Sequence, residues 1–439
     1  MQDFTRRDLL KGTAAAAIGL AAGGASAALK QPATVTGADR LRIGIVGAGG
    51  KGWSGMEQAA EQGDIVAICD IDVVSRTKAM IQHPRAASFD DYRTMYKALR
   101  GELDAVVIST PDHHHAPAAA LAMNQGLHVY CEKPLTRTIW EARQLQNIAQ
   151  RRRVASQMGN QSTASTELRK MAALIAKGTY GHVKEIHLWT DRAGGWWKQG
   201  VPRPAAVAEI PKNLNFDLWL GPRPDRPYAD GYHPFAWRGW WDFGCGALGD
   251  IGCHNVNLPF QALDLRDPIS VQAETSGHNK DSYPQWSIVR YEFGARGDRG
   301  PVTMFWYDSG KRPPVELAHG ETLAGNGCIV VCEHATLYSA GEYGGAMHLA
   351  GGGALPRSSN FVHSPGHFQE WVESMESGKP TGSDIVGISG PLTETVLLGN
   401  LAVWASGEKL EWDARNLRVK GRPEFDAVIR PAYRPGWTL

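Results

Sequence analysis

The sequence predicts an α/β protein: an N-terminal doubly wound parallel sheet over residues 41–161, followed over 162–410 by an α+β domain with an open, mostly antiparallel sheet. Three observations predict it. An apolar, β-branched run from Leu41 to Val46 leads into a glycine-rich turn, a helical segment and a second apolar run that ends on Asp70. Short apolar runs then alternate with helical segments of roughly ten to fifteen residues as far as Gln161, the pattern of parallel strands joined by crossover helices. Beyond Gln161, strands with one varied face follow one another without helices between them, the pattern of antiparallel pairing.

Residues 1–30 stand outside this fold. Arg6-Arg7, an alanine- and glycine-rich apolar region and Ala25-Ser26-Ala27 resemble a twin-arginine export signal cleaved after Ala27, and 31–40 read as a polar linker. The apolar region is too short for the roughly twenty residues of a membrane-spanning helix. The twin-arginine machinery is therefore an expected partner, and a periplasmic or otherwise exported location is expected.

Gly47-Ala48-Gly49-Gly50-Lys51-Gly52 has G-x-G-x-x-G spacing between a strand and a helix. In that setting the glycines permit a tight turn, close approach of a pyrophosphate and close helix–strand packing, and the helix N-terminal amides face the phosphates. Asp70, closing the second strand, is placed to hold ribose hydroxyls. The stretch predicts a Rossmann-type dinucleotide site built from Gly47, Gly49, Gly50, Lys51, Gly52 and Asp70. A 2′-phosphate ~4 Å from the Asp70 carboxylate would be repelled by about 4 kcal/mol per unit charge at an effective dielectric constant near 20, which favours NAD over NADP. Lys51 and Arg76 work against that preference.

A helix is expected at 73–82, and Phe89-Asp90-Asp91-Tyr92 caps another. A purely apolar strand at 105–109 ends in Thr110-Pro111-Asp112-His113-His114-His115, read as a loop along the ligand, as loops after strand ends are in open α/β sheets. Three adjacent histidines without a cysteine or further carboxylate at ligand spacing predict no metal site. A helix from Pro117 to Gln125 precedes a strand at 127–130, which ends in Cys131-Glu132-Lys133-Pro134. Thr138 and Glu141 fit a capping box for a helix to about Arg152, and the strand 154–157 ends in Met158-Gly159-Asn160.

In the second part, a helix at 166–177 precedes strands at 182–189, 269–275, 286–293, 302–307 and 328–332. Seven tryptophans (189, 196, 197, 219, 237, 240 and 241) crowd the stretch before Asp250, with Tyr228, Tyr232, His233 and Arg238 among them. Aromatic faces with polar neighbours suit carbohydrate, although most such tryptophans serve as core. Trp197, Tyr232, His233, Trp237 and Arg238 are the substrate candidates. Residues 200–227 read as a long ordered excursion that rims a pocket or clasps a neighbouring subunit. The segment 341–367 has no regular pattern, helices are expected at 366–376 and 391–405, and 411–439 reads as a proline-rich tail over the surface.

Lysine plus arginine, 46, balances aspartate plus glutamate, 45, so no nucleic-acid or acidic-membrane partner is expected. No apolar run after the N-terminus approaches the ~18 residues of a membrane helix. The six cysteines show no disulfide framework, and Cys328 and Cys332 bracket a strand that holds them too far apart to bridge.

Together the motifs resemble the Gfo/Idh/MocA oxidoreductases. The matching residues are Gly47, Gly49 and Gly52 with Asp70; Thr110-Pro111 with His115; Glu132-Lys133-Pro134; and the run from Gly244 to His254 with its Asp250-x-x-x-His254. The resemblance spans 41 to about 410 and implies substrate between the two domains and homodimers or homotetramers formed through the free sheet face. It implies cofactor contacts at Thr110, Pro111, His115, Glu132, Lys133 and Asn160, and catalytic roles for Lys133, Asp250 and His254. Asp112 departs from the family's usual Thr-Pro-Asn.

The chemistry fits these positions. An imidazole at His254 accepts a hydroxyl proton near neutral pH. Asp250, four residues earlier, shares a helical face with it and either orients the ring or contacts a sugar hydroxyl. Lys133 donates to the substrate oxygen and favours the alkoxide. Each has a structural alternative: a helix cap for Asp250, a core histidine for His254, a solvated turn residue for Lys133. The leading expectation is an exported NAD-dependent oxidoreductase that holds its cofactor tightly and oxidises a secondary hydroxyl of a sugar or glycoside. The alternative is an NAD-dependent glycosidase working by transient oxidation, elimination and re-reduction, and a third reading is a non-catalytic NAD- and sugar-binding protein.

Overall fold

The computed structural model describes residues 40–356 and 360–439. The expected export signal and all but the last residue of the expected linker lie outside the described residues. The first sheet contains β1 (Leu41–Val46), β2 (Gly63–Cys69), β3 (Ala87–Phe89), β4 (Ala105–Ile108), β5 (His128–Cys131) and β6 (Ser156–Met158). All are parallel, in the order β3-β2-β1-β4-β5-β6. Buried aliphatic side chains make each inner strand apolar on both faces, as a sheet covered by helices requires.

The helices of this half are α1 (Lys51–Gln62), α2 (Val73–Gln82), α3 (Tyr92–Ala98), α4 (Asp112–Asn124) and α5 (Ile139–Arg152). Asp91 caps α3, its Oδ1 accepting from the Arg93 amide at 2.8 Å, and Thr138 and Glu141 form the expected capping box at the start of α5. One expectation fails here. The three histidines are not in a loop: α4 begins at Asp112, whose carboxylate suits the positive end of the helix, and Pro117 lies inside the helix rather than at its start.

After α6 (Thr166–Ala176), a second sheet gathers β7 (Val183–Thr190), β8 (Ser270–Thr275), β9 (Ser287–Phe293), β10 (Val302–Asp308), β11 (Gly327–Cys332), β12 (Thr336–Ala340), β13 (His348–Leu349), β14 (Leu410–Asp413) and β15 (Arg418–Val419). Its order is β13-β12-β11-β7-β10-β9-β8-β14-β15, and only the β7–β10 pair is parallel. The short helices α7 (Phe216–Leu220), α8 (Cys253–Asn255) and α9 (Asn257–Leu263) lie between β7 and β8, and α10 (His367–Ser377) and α11 (Gly390–Ala405) between β13 and β14.

The structure corrects the expected boundaries in three places. The hairpin β14–β15 comes from the expected tail and extends the sheet. Helix α10 packs on the first sheet, where Phe368 stacks on Tyr130 at 4.2 Å and Trp371 joins Ile43 and Ile65 in one cluster. A π turn, Ile385–Ser389, runs into α11 to give a 21-residue helix that is long and apolar enough to cross a bilayer. That was not expected, yet 83% of its apolar window is buried inside the protein, as in a core helix. All six cysteines are buried thiols.

Two segments close over the strand ends of the first sheet. Residues 191–243 are held partly by Asp242, which pairs with Arg223 at 2.9 Å, Arg203 at 3.3 Å and Arg226. The chain's end returns to the same rim. Tyr433 donates to Glu141 at 2.6 Å, Arg434 pairs with Asp217 at 2.7 Å, and the Arg93 guanidinium lies 3.9 Å over the Trp437 ring.

Candidate active site

A cavity of about 480 Å³ opens where the strand order reverses between β1 and β4, the position at which open α/β sheets bind ligands. Its floor is the glycine turn. Gly47 has φ +86°, and a Cβ there would meet the Ser109 carbonyl oxygen at 2.6 Å; a Cβ on Gly52 would lie 2.1 Å from the Gly47 carbonyl oxygen. The cradle is one that side chains would fill. Gly50 precedes α1, and Lys51, at its first position, stands 3.8 Å from the Glu132 carboxylate.

Asp70 forms the next wall. Its carboxylate accepts from the amides of Ala48 at 2.7 Å and Asp72 at 2.9 Å, which hold it toward the cavity. Arg76, which could have softened the preference against a 2′-phosphate, donates instead to the Asp70 carbonyl at 2.6 Å. Asp70→Ala is expected to raise the affinity for NADP relative to NAD about tenfold or more. Titration of the purified protein with both cofactors checks this, and an unchanged ratio would refute the ribose assignment.

Thr110, Pro111, Glu132 and Lys133 also line the cavity. His115 does not. Its ring lies between the carbonyl oxygens of Pro134 at 2.7 Å and Thr110 at 2.8 Å, bracing the two strand-end turns, and burial takes its pKa down to about 4. Asn160 also stands behind the wall, donating to the Cys253 carbonyl at 2.8 Å. His113 and His114 direct ring nitrogens to the Trp219 carbonyl at 2.8 and 2.9 Å.

At the far end, the three residues of the family motifs come together unequally. Lys133 Nζ donates to the Asp250 carbonyl at 2.5 Å and to its carboxylate at 2.8 Å. Burial works against charge on both, but each partner more than offsets it: Lys133 stays above the usual ammonium range and Asp250 falls well below the usual carboxylate range. Asp250 sits in a π turn, Leu248–Gly252, and its carboxylate also meets Arg238 at 3.2 Å and Arg192 at 3.9 Å. It does not orient His254. That imidazole is buried, its Nδ1 has no hydrogen-bond partner among the described residues, and the Tyr343 ring meets it edge-on at 4.7 Å. Burial and the Lys133 charge push its pKa well below the ordinary imidazole range.

Of the five substrate candidates, His233, Trp237 and Arg238 line the cavity. Trp197 and Tyr232 stand in the core: Trp197 donates to Gln199 at 2.8 Å, and Tyr232 stacks on Trp219 at 6.0 Å. Two exposed aromatic rings near Asp250, Trp196 at 56% and Phe235 at 40%, have ring centroids 6.4 Å apart. Arg192 lies 4.1 Å over Trp196 and Arg238 lies 4.2 Å over Phe235, so the two arginines that reach Asp250 also hold the platform. Sequence reasoning missed Arg192, its ion-pair partner Glu342, Tyr343 and Trp437. Only Trp196 carried a signal, as one of the crowded tryptophans.

Residues 41–160 match the model of an oxidoreductase family with an NAD-binding Rossmann fold, and residues 164–298 match that family's C-terminal alpha/beta domain. A glycosyl hydrolase family 109 protein from Solibacter usitatus is 36% identical over 163 residues, 34% of this chain and 37% of that protein. The rhizopine catabolism protein MocA of Rhizobium meliloti is 30% identical over 144 residues, 33% of this chain and 45% of that protein. The match thus spans less than half the length of these curated relatives. Among solved structures, the WlbA dehydrogenase from Bordetella pertussis in complex with NADH and UDP-GlcNAcA superposes with a TM-score of 0.60 at 15% identity, covering 85% of this chain and 99% of that one. An inositol dehydrogenase homologue from Azotobacter vinelandii, complexed with NADH and myo-inositol, gives 0.57 at 17% identity, covering 85% and 98%. These two likenesses are of fold.

Proposed function

We propose, for a chain that belongs to the Gfo/Idh/MocA oxidoreductase family, that it oxidises a secondary hydroxyl of a sugar or glycoside with an NAD it keeps through turnover. The observation that carries the reading is the Lys133–Asp250 pair, 2.8 Å apart, at the end of a cavity whose floor is a glycine cradle. Gly47, Gly49, Gly50, Gly52 and Asp70 fit a dinucleotide: the cradle leaves room for phosphates, and the carboxylate suits ribose hydroxyls. When bound, NAD supplies the hydride acceptor. Lys133, fixed by Asp250, presents an ammonium to the substrate oxygen and favours developing negative charge there. His254 lies behind the cavity lining, its Nδ1 buried without a hydrogen-bond partner among the described residues, and the Trp196–Phe235 platform takes the C–H face of a sugar ring.

Retention of the cofactor is supported by a clasp on the ribose wall. Asp72 N-caps α2 and also accepts from Asn213 Nδ2 at 2.9 Å and pairs with His233 at 3.2 Å. The backbone continues the clasp: the Val73 amide donates to the Asn213 carbonyl at 2.9 Å and the Asn215 amide to that of Ile71 at 3.2 Å. Asn213→Ala/His233→Ala is expected to speed exchange of bound NAD for labelled NAD about tenfold for each hydrogen bond of about 1.4 kcal/mol. An unchanged exchange rate would contradict the clasp. Retention also suits an exported enzyme, which must collect its cofactor before leaving the cytoplasm. The twin-arginine route and assembly through the sheet face that carries Ile288, Phe305 and Val331 complete the proposal.

A second reading, a redox-neutral glycosidase, is favoured by the relatives named as glycosyl hydrolases. Aryl glycosides and free sugars offered to the purified protein separate the two. Persistent reduction of bound NAD by a sugar, reversed by a keto compound, supports the oxidoreductase. Release of the aryl group with no lasting reduction supports the glycosidase, and neither response refutes both.

A further inference from the structure

The cavity has two ends, set by the order of the strands. Asp70 follows β2 and Lys133 follows β5, on opposite sides of the glycine turn after β1. A dinucleotide with its ribose on Asp70 and its nicotinamide toward Lys133 has its other base among the residues that follow β2, β3 and β4. There the lining is Ile71, Tyr92, His114, Leu218 and Trp437. Trp437 comes from far along the chain, yet its ring centroid lies 6.0 Å from that of Tyr92 and 5.5 Å from that of His114.

We propose that Trp437 is a cofactor-binding residue, the wall at the adenine end of the cavity, and that Arg434 is the positioning residue that holds it there. The inference deepens the reading of the cavity as the seat of a retained NAD and rests on that reading. It adds to the clasp at Asp72 a second closure, made by residues 433–437.

The local sequence builds the wall. Pro435 and Gly436 make a β-turn, with Gly436 at φ +86° and the Trp437 amide donating to the Arg434 carbonyl at 3.1 Å. Arg434 is fastened outside the cavity. Its amide donates to the Pro222 carbonyl at 3.0 Å, its Nε to the Gly221 carbonyl at 3.1 Å and its Nη2 to the Asp217 carbonyl at 2.9 Å, and it pairs with the Asp217 carboxylate at 2.7 Å. Arg93 covers the Trp437 ring and donates to the Gly436 carbonyl at 3.2 Å. The indole is thereby held almost fully buried, with its anchors on one side and the cavity on the other. The chemistry of this end suits a purine. Ile71, Leu218 and the indole offer apolar faces, the buried His114 is neutral, and the Asp90 carboxylate can accept from an exocyclic amine.

Release of bound NAD into an excess of labelled NAD, followed on the full chain, tests this. Trp437→Ala is expected to release NAD about tenfold faster, Arg434→Gln about threefold faster, and Trp437→Phe, which keeps an aromatic wall, close to the wild-type rate. A role confined to the fold would weaken both halves of the cofactor alike, so fragments that displace labelled NAD decide. Trp437→Ala and Arg434→Gln are expected to weaken ADP-ribose by those same factors and to leave nicotinamide mononucleotide unchanged. Unchanged NAD release in Trp437→Ala, or equal losses for the two fragments, overturns the proposal while leaving the NAD site standing. A wild-type protein that binds neither NAD nor ADP-ribose overturns the reading of the cavity and the proposal with it.

Discussion

Lys133→Ala is expected to lower kcat/KM about 10³-fold, or about 4 kcal/mol of transition-state stabilisation, while the protein keeps its NAD. The side chain lines the cavity and is fixed at two points, the Asp250 carbonyl and carboxylate. Removing it takes away the group proposed to answer charge on the substrate oxygen. It does not strand Asp250, because Arg238 at 3.2 Å and Arg192 at 3.9 Å still face that carboxylate. Thermal stability should therefore change little, which separates lost chemistry from lost fold. Lys133→Arg is expected not to restore the rate, since a planar fork cannot replace a compact ammonium held in this geometry. Steady-state kinetics with NAD content measured after denaturation check all of this; undiminished turnover in Lys133→Ala would refute its role.

Gly52→Ala is expected to abolish co-purification of NAD and to destabilise the protein by about 2–4 kcal/mol. The new Cβ would sit 2.1 Å from the Gly47 carbonyl oxygen, and the contact is with backbone, so relief must come from moving the turn on which the phosphates rest. Gly50→Ala is the internal comparison. Its Cβ meets nothing within 4 Å, and only the backbone conformation, φ +51° with ψ −119°, opposes it, a cost of about 1–3 kcal/mol. Thermal unfolding and bound-nucleotide content should place Gly52→Ala well below Gly50→Ala; equal behaviour would contradict the close packing of strand and helix.

The parts of the fold that were legible in the sequence are those written in local signals. β1 and α2 begin and end where their apolar and polar patterns do, and Thr138 with Glu141 announces α5. The glycine turn could be read because each glycine answers a local backbone demand. What was not legible depends on distant partners. The residues of α10 give no hint that Phe368 will stack on Tyr130, and Pro117 reads as a helix start because the favourable N-terminal acid five residues earlier carries less weight in a linear pattern.

The same limit applies to the site. Lys133, Asp250 and the glycines were found because motifs name them. Trp197 and Trp196 are neighbours in the chain, and no periodicity tells which faces solvent; the arginines at 192 and 238, each stacked on a ring and turned to Asp250, decide it. Glu342 and Tyr343 come from the segment without a regular pattern, brought to Arg192 and His254 by the β12–β13 connection.

Hydride transfer from a sugar to an NAD that stays with the protein is tested by a single-turnover measurement on protein purified without added cofactor. Bound nicotinamide close to one per chain is expected, reduced on mixing with a sugar whose secondary hydroxyl fits the cavity, with the reduced cofactor still on the protein after rapid gel filtration. Protein isolated without nicotinamide, showing no reduction after NAD is supplied with any sugar or glycoside, would contradict it.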